Sequence, residues 1–215
     1  MALIDDITKE AKKFFDGESG SHNWEHTQRV IRLSKHIGKI EGANLEILEL
    51  AAILHDICKP EEFKKMGAIC HAEKGAILAK QILTKYKVPQ EKINAVVHCI
   101  EVHRKTQNKK PETIEAKILF DADKIDSLGA TGIGRSFMAA SEIKSKFHND
   151  KKTREKIQET KEYTAEDTAY REFATTIGQI QGRLHTSEAK RLAKERYAFM
   201  EEFFSRLNKE TDGKI

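Results

Sequence analysis

After Asn44 the chain reads LEILELAAILHDIC and then Lys59-Pro60, a stretch with apolar residues on every side of a helix. A helix of that kind belongs in the centre of a core. What makes it the strongest constraint in the sequence is the pair His55 and Asp56 near its end. An imidazole and a carboxylate at that depth are costly unless they are paired or ligate a cation. The stretch is expected to run as one helix up to Pro60, because the residue before a proline avoids helical angles.

The rest of the chain is read around that helix. Three prolines and twelve glycines in 215 residues, with 39% apolar and 33% charged residues, favour long helices over a turn-rich β fold. Helical spacing predicts elements at 3–16, from Ser21 to Glu41, and at 71–86, 90–104, 112–127 and 134–147. A turn over Asp16–Gly20 and a break at Gly42-Ala43-Asn44 separate the first of them. Residues 148–163 are dominated by charge and predict either a solvated helix or a flexible excursion. Thr186-Ser187 with Glu188 resembles a cap opening a last helix that ends near residue 208. No alternating run demands a strand, so the fold class is all-α. The expected organisation is an N-terminal helix (1–20), a core (21–147), a charged helical segment or lid (148–185) and a C-terminal helix packing on the core (186–215).

Three segments deliver metal-ligand chemistry. His22, His26 and Arg29 share one helix stripe; His55 and Asp56 lie in the apolar helix; Asp123 follows apolar residues in ILFDADKID. Imidazole with carboxylate suits Mn, Fe, Co, Ni or Zn, with Mg possible if waters complete the shell. His26, His55, Asp56 and Asp123 would leave open positions on a six-coordinate ion, as a catalytic metal requires. Asp121 competes with Asp123, but residues two apart on a helix point about 200° from one another, so only one ligates.

The order His26, His55-Asp56, Asp123 resembles the HD-domain metal-dependent phosphohydrolases, and the flanks SHNWEHTQRV, LAAILHDICKP, HAEKGA, EVHR and EAKILFDADKIDSLGATGIGR resemble the small single-domain HDIG type from about residue 21 to 137. Cys58 stands where glycine is commoner. The resemblance implies a helical HD-domain bundle in which these four residues hold one divalent ion per chain, a transition metal favoured, and the Ala-Asp-Lys pattern selects Asp123. It implies hydrolysis of a phosphate ester or anhydride of a nucleotide or related small phosphorylated metabolite by metal-activated water. Lys59 is then placed to donate to a phosphate oxygen or leaving group. His71 and His103 fall where larger HD enzymes bring further histidines, to orient the water, hold phosphate or bind a second metal. Asp56 or Asp123 holds the water in line while also ligating, and Arg29, Arg104 and Lys124 are candidate phosphate contacts. Asp126 is a candidate for orienting a histidine or water. His98 lies about 140° around a helix from His103 and is set aside, as are His36, His148 and His185.

Other classes weigh less. A net charge of +4 without a concentrated basic face argues against a nucleic-acid binder. No apolar run approaches the ~20 residues that span a bilayer. Three cysteines without CxxC spacing exclude a disulfide scaffold and point to a reducing, cytoplasmic setting. No GYP motif follows the HD pair. A cyclic or linear phosphodiesterase of the same fold, or a non-catalytic nucleotide sensor, remains the alternative, and a homo-oligomer stays open.

Overall fold

The computed structural model describes residues 2–15, 23–64, 70–104 and 109–215. The expected turn at 16–20, the helix start at 21 and His22 lie outside the described residues. Among those described there are α-helices and short 3-10 turns and no β-strand, so the chain is all-α. No helix among them is long and apolar enough to cross a membrane. Contacts divide the chain into two compact units, Met1–Asp123 with His185–Ala189, and Lys124–Leu184 with Lys190–Ile215.

The first unit is built around the apolar helix. It contains α1 (Ala2–Lys12), α2 (Trp24–Glu41), α3 (Leu45–Leu54), α4 (Lys59–Lys64), α5 (His71–Lys85), α6 (Gln90–Val102) and α7 (Ile114–Ile125) as far as Asp123. α3 packs against α1, α2 and α6, and its residues from Leu50 to Leu54 are all buried. Asn44 opens α3 by accepting from the Glu46 and Ile47 N–H groups, offsetting two of the four orphan donors at a helix start. α2 and α3 approach closely at Gly38, where a Cβ would meet Leu48 Cδ1 at 2.4 Å.

α3 is shorter than the sequence suggests. It ends at Leu54, residues 55–58 form a turn, and Pro60 sits in the first turn of α4. A proline is tolerated there because its missing N–H has no helical acceptor to serve. The turn puts His55 and Asp56 at a helix end rather than in mid-helix.

α7 carries the anchor for the returning chain. The Asp121 carboxylate accepts from the His185 N–H (2.9 Å), the Thr186 N–H (2.8 Å) and the Thr186 hydroxyl (2.7 Å). The Glu188 carboxylate adds a hydrogen bond with His36 Nε2 at 2.9 Å, and its backbone N–H donates to the Glu41 carboxylate.

The second unit contains α8 (Gly129–Glu142), α9 (Lys151–Glu155), α10 (Ala169–Thr175) and α11 (Ser187–Thr211) from Lys190 onward. α8 begins five residues before the expected 134. A tight 127–132 turn makes this possible: Gly129 adopts φ +74°, and a Cβ on Gly132 would lie 2.1 Å from the Ser127 carbonyl oxygen. The charged stretch after residue 148 forms short helices cross-linked by polar side chains. Asn149, buried, donates to the Glu166 carbonyl and carboxylate and accepts from the Thr168 hydroxyl. Arg154 binds the Asn149 carbonyl and Asp212, and Arg171 binds Asp167 and Thr160. Phe204 completes this unit's aromatic core, stacked on Phe173 with ring centroids 4.6 Å apart. Phe204→Ala is expected to cost about 3–5 kcal/mol in urea denaturation, whereas Phe199→Ala, at a half-exposed position on the same helix, should stay within about 0.5 kcal/mol.

Candidate metal centre

Four helix ends and one helix interior bring six ligand-type side chains together in the first unit. His26 comes from the first turn of α2, which Asn23 caps by accepting from the His26 N–H. His55 and Asp56 follow α3, His71 opens α5, His103 follows α6, and Asp123 lies in α7. All but Asp123 are buried, and Asp123 is largely so.

Asp56 lies between two groups. Its Oδ2 faces His26 Nε2 at 3.5 Å and His55 Nε2 at 3.6 Å, and His26 Nε2 is 3.4 Å from Asp123 Oδ1. Its Oδ1 faces His71 Nε2 at 3.2 Å and His103 Nε2 at 3.5 Å. The ligand atoms of His26, His55 and Asp123 lie within 4.8 Å of one another, and so do those of Asp56, His71 and His103.

The outer nitrogens decide what the inner ones offer. His55 Nδ1 donates to the Ala52 carbonyl at 2.8 Å, His103 Nδ1 to the Ile100 carbonyl at 2.6 Å, and His71 Nδ1 to Glu62 at 2.9 Å. A carbonyl or carboxylate oxygen only accepts, so each ring carries its proton outward and turns the Nε2 lone pair inward. His71 Nε2 and His103 Nε2 then stand 3.1 Å apart, and His26 Nε2 and His55 Nε2 3.4 Å apart. The facing lone pairs of His71 and His103, and carboxylate oxygens at such distances from imidazole nitrogens, require a proton or a cation between them. The donor set therefore fits a divalent metal.

The electrostatics agree. Burial pushes His55 down to about 4, with Asp56 opposing only in part, so its ring is neutral near pH 7, the form that ligates. Burial alone would raise Asp56, but the surrounding imidazoles, His55 first and then His103, His26 and His71, outweigh it and hold the carboxylate well below its usual range. Burial raises the Cys58 thiol to about 11, so it stays protonated and inert.

The remaining candidates separate by contact. Lys59 Nζ lies 2.6 Å from Glu62 Oε2, and Arg104 lies 2.5 Å from Glu62 Oε1, so Lys59, His71 and Arg104 converge on one carboxylate. Glu62 was not among the sequence candidates. Its signal was present in KPEEF, where it stands one helical turn from Lys59, the spacing of a paired charge. Burial raises its carboxyl, but the Lys59 hydrogen bond, the neighbouring His71 and the charges of Lys59 and Arg104 prevail and bring it to about 2. Arg29, one turn beyond His26, and Lys124, beside Asp123, are half-buried. Both oxygens of Asp121 serve the 185–186 backbone, and Asp126 forms a buried ion pair with Arg135. His98 accepts from the Glu112 N–H.

A model of the HD domain family matches residues 23–128. The uncharacterized protein YpgQ of Bacillus subtilis is 31% identical over 203 residues, which cover 91% of this chain and 87% of that one. The crystal structure of Bacillus subtilis YpgQ in complex with ADP matches with a TM-score of 0.73 and 26% identity, covering 97% of this chain and 95% of that one. That of an HD-superfamily hydrolase from Bacillus thuringiensis matches with a TM-score of 0.72 and 25% identity, covering 97% and 96%.

The two aspartates of α7 are expected to respond oppositely to substitution. Asp123→Ala should lower Mn²⁺ affinity at least about tenfold. Asp121→Ala should leave that affinity within about threefold while costing about 1–3 kcal/mol of stability through its stranded donors. Calorimetric Mn²⁺ titration and thermal melting of both variants check this.

Proposed function

The chain belongs to the HD-domain family, and we propose that it is a metal-dependent phosphohydrolase cleaving a phosphate ester or anhydride of a nucleotide or related small phosphorylated metabolite. The observation that carries this reading is the convergence of ligand-type atoms from His26, His55, Asp56 and Asp123 beside the cations Lys59 and Arg104. Acceptors hold a cation, and cations hold a phosphoryl group. ADP bound to the Bacillus subtilis relative supports a nucleotide as the substrate class.

A divalent ion held by the four residues supplies Lewis-acid charge towards a phosphoryl oxygen and lowers the pKa of water. The chain's own groups do the rest. Lys59 and Arg104 donate to nonbridging phosphoryl oxygens, where phosphoryl transfer most needs neutralising charge. His71 or His103 accepts the proton of the attacking water on Nε2, and Asp56 Oδ1, within 3.5 Å of both, stabilises the imidazolium formed. Since the Nδ1 protons are already directed outward, no ring has to turn before it can accept.

Asp56, His71 and His103 also form a convergent group of their own, which favours a second reading in which they hold a second cation. Elemental analysis and Mn²⁺ titration separate the two: one equivalent supports the acid–base role for the histidine pair, and two equivalents support the second site.

Mn²⁺ at about 100 times its dissociation constant should stabilise the protein by about 2.7 kcal/mol, and His55→Ala or Asp56→Ala should abolish that gain. A phosphate- and pyrophosphate-release screen across nucleotides with Mn²⁺, Co²⁺, Ni²⁺ and Mg²⁺ should show metal-restored turnover, lost in the same variants. Metal binding and nucleotide binding without release would indicate a sensor, and no metal under any condition would overturn the proposal.

A further inference from the structure

Glu62 has the geometry of a residue that acts through its neighbours. Its carboxylate is 7% exposed and accepts from three donors on three segments: Lys59 in α4, His71 at the start of α5, and Arg104 beyond the end of α6. A buried carboxylate persists only when its oxygens are so occupied. The charges do not cancel, however. One carboxylate faces two permanent cations, and it engages one donor of the three on Lys59 and one of the five on Arg104 in these bonds. Lys59 is 21% exposed and Arg104 47%, so both groups retain access to an incoming anion.

The three inward-facing imidazoles also differ in how their protons are fixed. His55 and His103 each follow a helix and donate Nδ1–H to a carbonyl three residues back, Ala52 and Ile100. His71 is the first residue of its helix, so no preceding turn of α5 offers it such a carbonyl. Glu62 stands in the place that backbone fills for the other two. Without it the proton is free to move to Nε2, where it would point at Asp56 Oδ1 and His103 Nε2 and convert an acceptor into a donor.

We propose that Glu62 is a positioning residue which fixes the His71 proton on Nδ1 and holds Lys59 and Arg104 together as one phosphate-binding pair. The proposal rests on the phosphohydrolase reading for its kinetic consequence, but its hold on His71 is independent of any substrate. The neighbouring Glu61 serves as the control, because on the same helix it pairs instead with Lys74 at 2.6 Å.

The test uses the full chain labelled with ¹⁵N-histidine, whose long-range ¹H–¹⁵N spectrum reports which ring nitrogen carries the proton. The wild type and Glu61→Gln should show His71 protonated at Nδ1. Glu62→Ala should move that proton partly or wholly to Nε2 while leaving His55 and His103 unchanged. On the nucleotide that the release screen identifies, isosteric Glu62→Gln should lower kcat about 10- to 100-fold and raise KM, with Mn²⁺ affinity within threefold of wild type. If Glu62→Ala does not fold, Glu62→Gln decides the matter by the same kcat and KM comparison. An unchanged His71 tautomer in Glu62→Ala, or wild-type kcat and KM in Glu62→Gln, overturns the proposal. If the wild type hydrolyses no nucleotide, the nucleotide part of the phosphohydrolase reading fails, and the spectrum still settles whether Glu62 holds His71.

Discussion

The Asp56 carboxylate, buried at the end of the most apolar helix of the chain, is the constraint on which the centre depends. A lone charge in that position would not survive folding; it would be protonated or the helix would be displaced. The structure meets the cost by surrounding one carboxylate with four imidazoles, two on each oxygen. Each imidazole comes from a different stretch of chain. The caps and close approaches that set those stretches against α3, such as the Asn23 cap on α2 and the Gly38–Leu48 contact, thereby serve the site as well as the core.

Around that carboxylate three of the imidazoles carry their protons outward. Two of the rings solve this locally, because a histidine just past a helix finds the carbonyl of the preceding turn within reach. The third opens its helix and depends on a carboxylate from another element. The outcome is a cluster of acceptors held in place before any ligand arrives, so little reorganisation is needed when positive charge enters.

The second unit shows how polar composition can conceal order. Residues 148–163 look solvated in the sequence because they are rich in Lys, Arg, Glu and Asp. In the structure Arg154 of this stretch satisfies the buried Asn149 carbonyl, and Arg171 from beyond it reaches back to Thr160. A polar residue that caps a loop and one that faces water are written with the same letter. The start of α8 has no local start signal either: Gly129 and Gly132 permit the tight turn that lets the helix begin early.

The sequence by itself determined the all-α class, most helix positions and the order of the ligand-type residues. These follow from local rules: a 3.6-residue period, caps within three residues, and the cost of polar groups in an apolar run. The resemblance to the HD-domain hydrolases favoured Asp123 over Asp121, and in the structure the two differ, since Asp121 is spent on His185 and Thr186. Only the tertiary structure decided that α3 stops at Leu54, that Asp56 faces both histidine groups, and that Glu62 joins Lys59, His71 and Arg104. Those outcomes depend on contacts between segments far apart in the chain, such as Glu62 and Arg104, 42 residues apart. Such contacts carry no periodic signal, because chain distance says nothing about which side chains meet once the helices have packed.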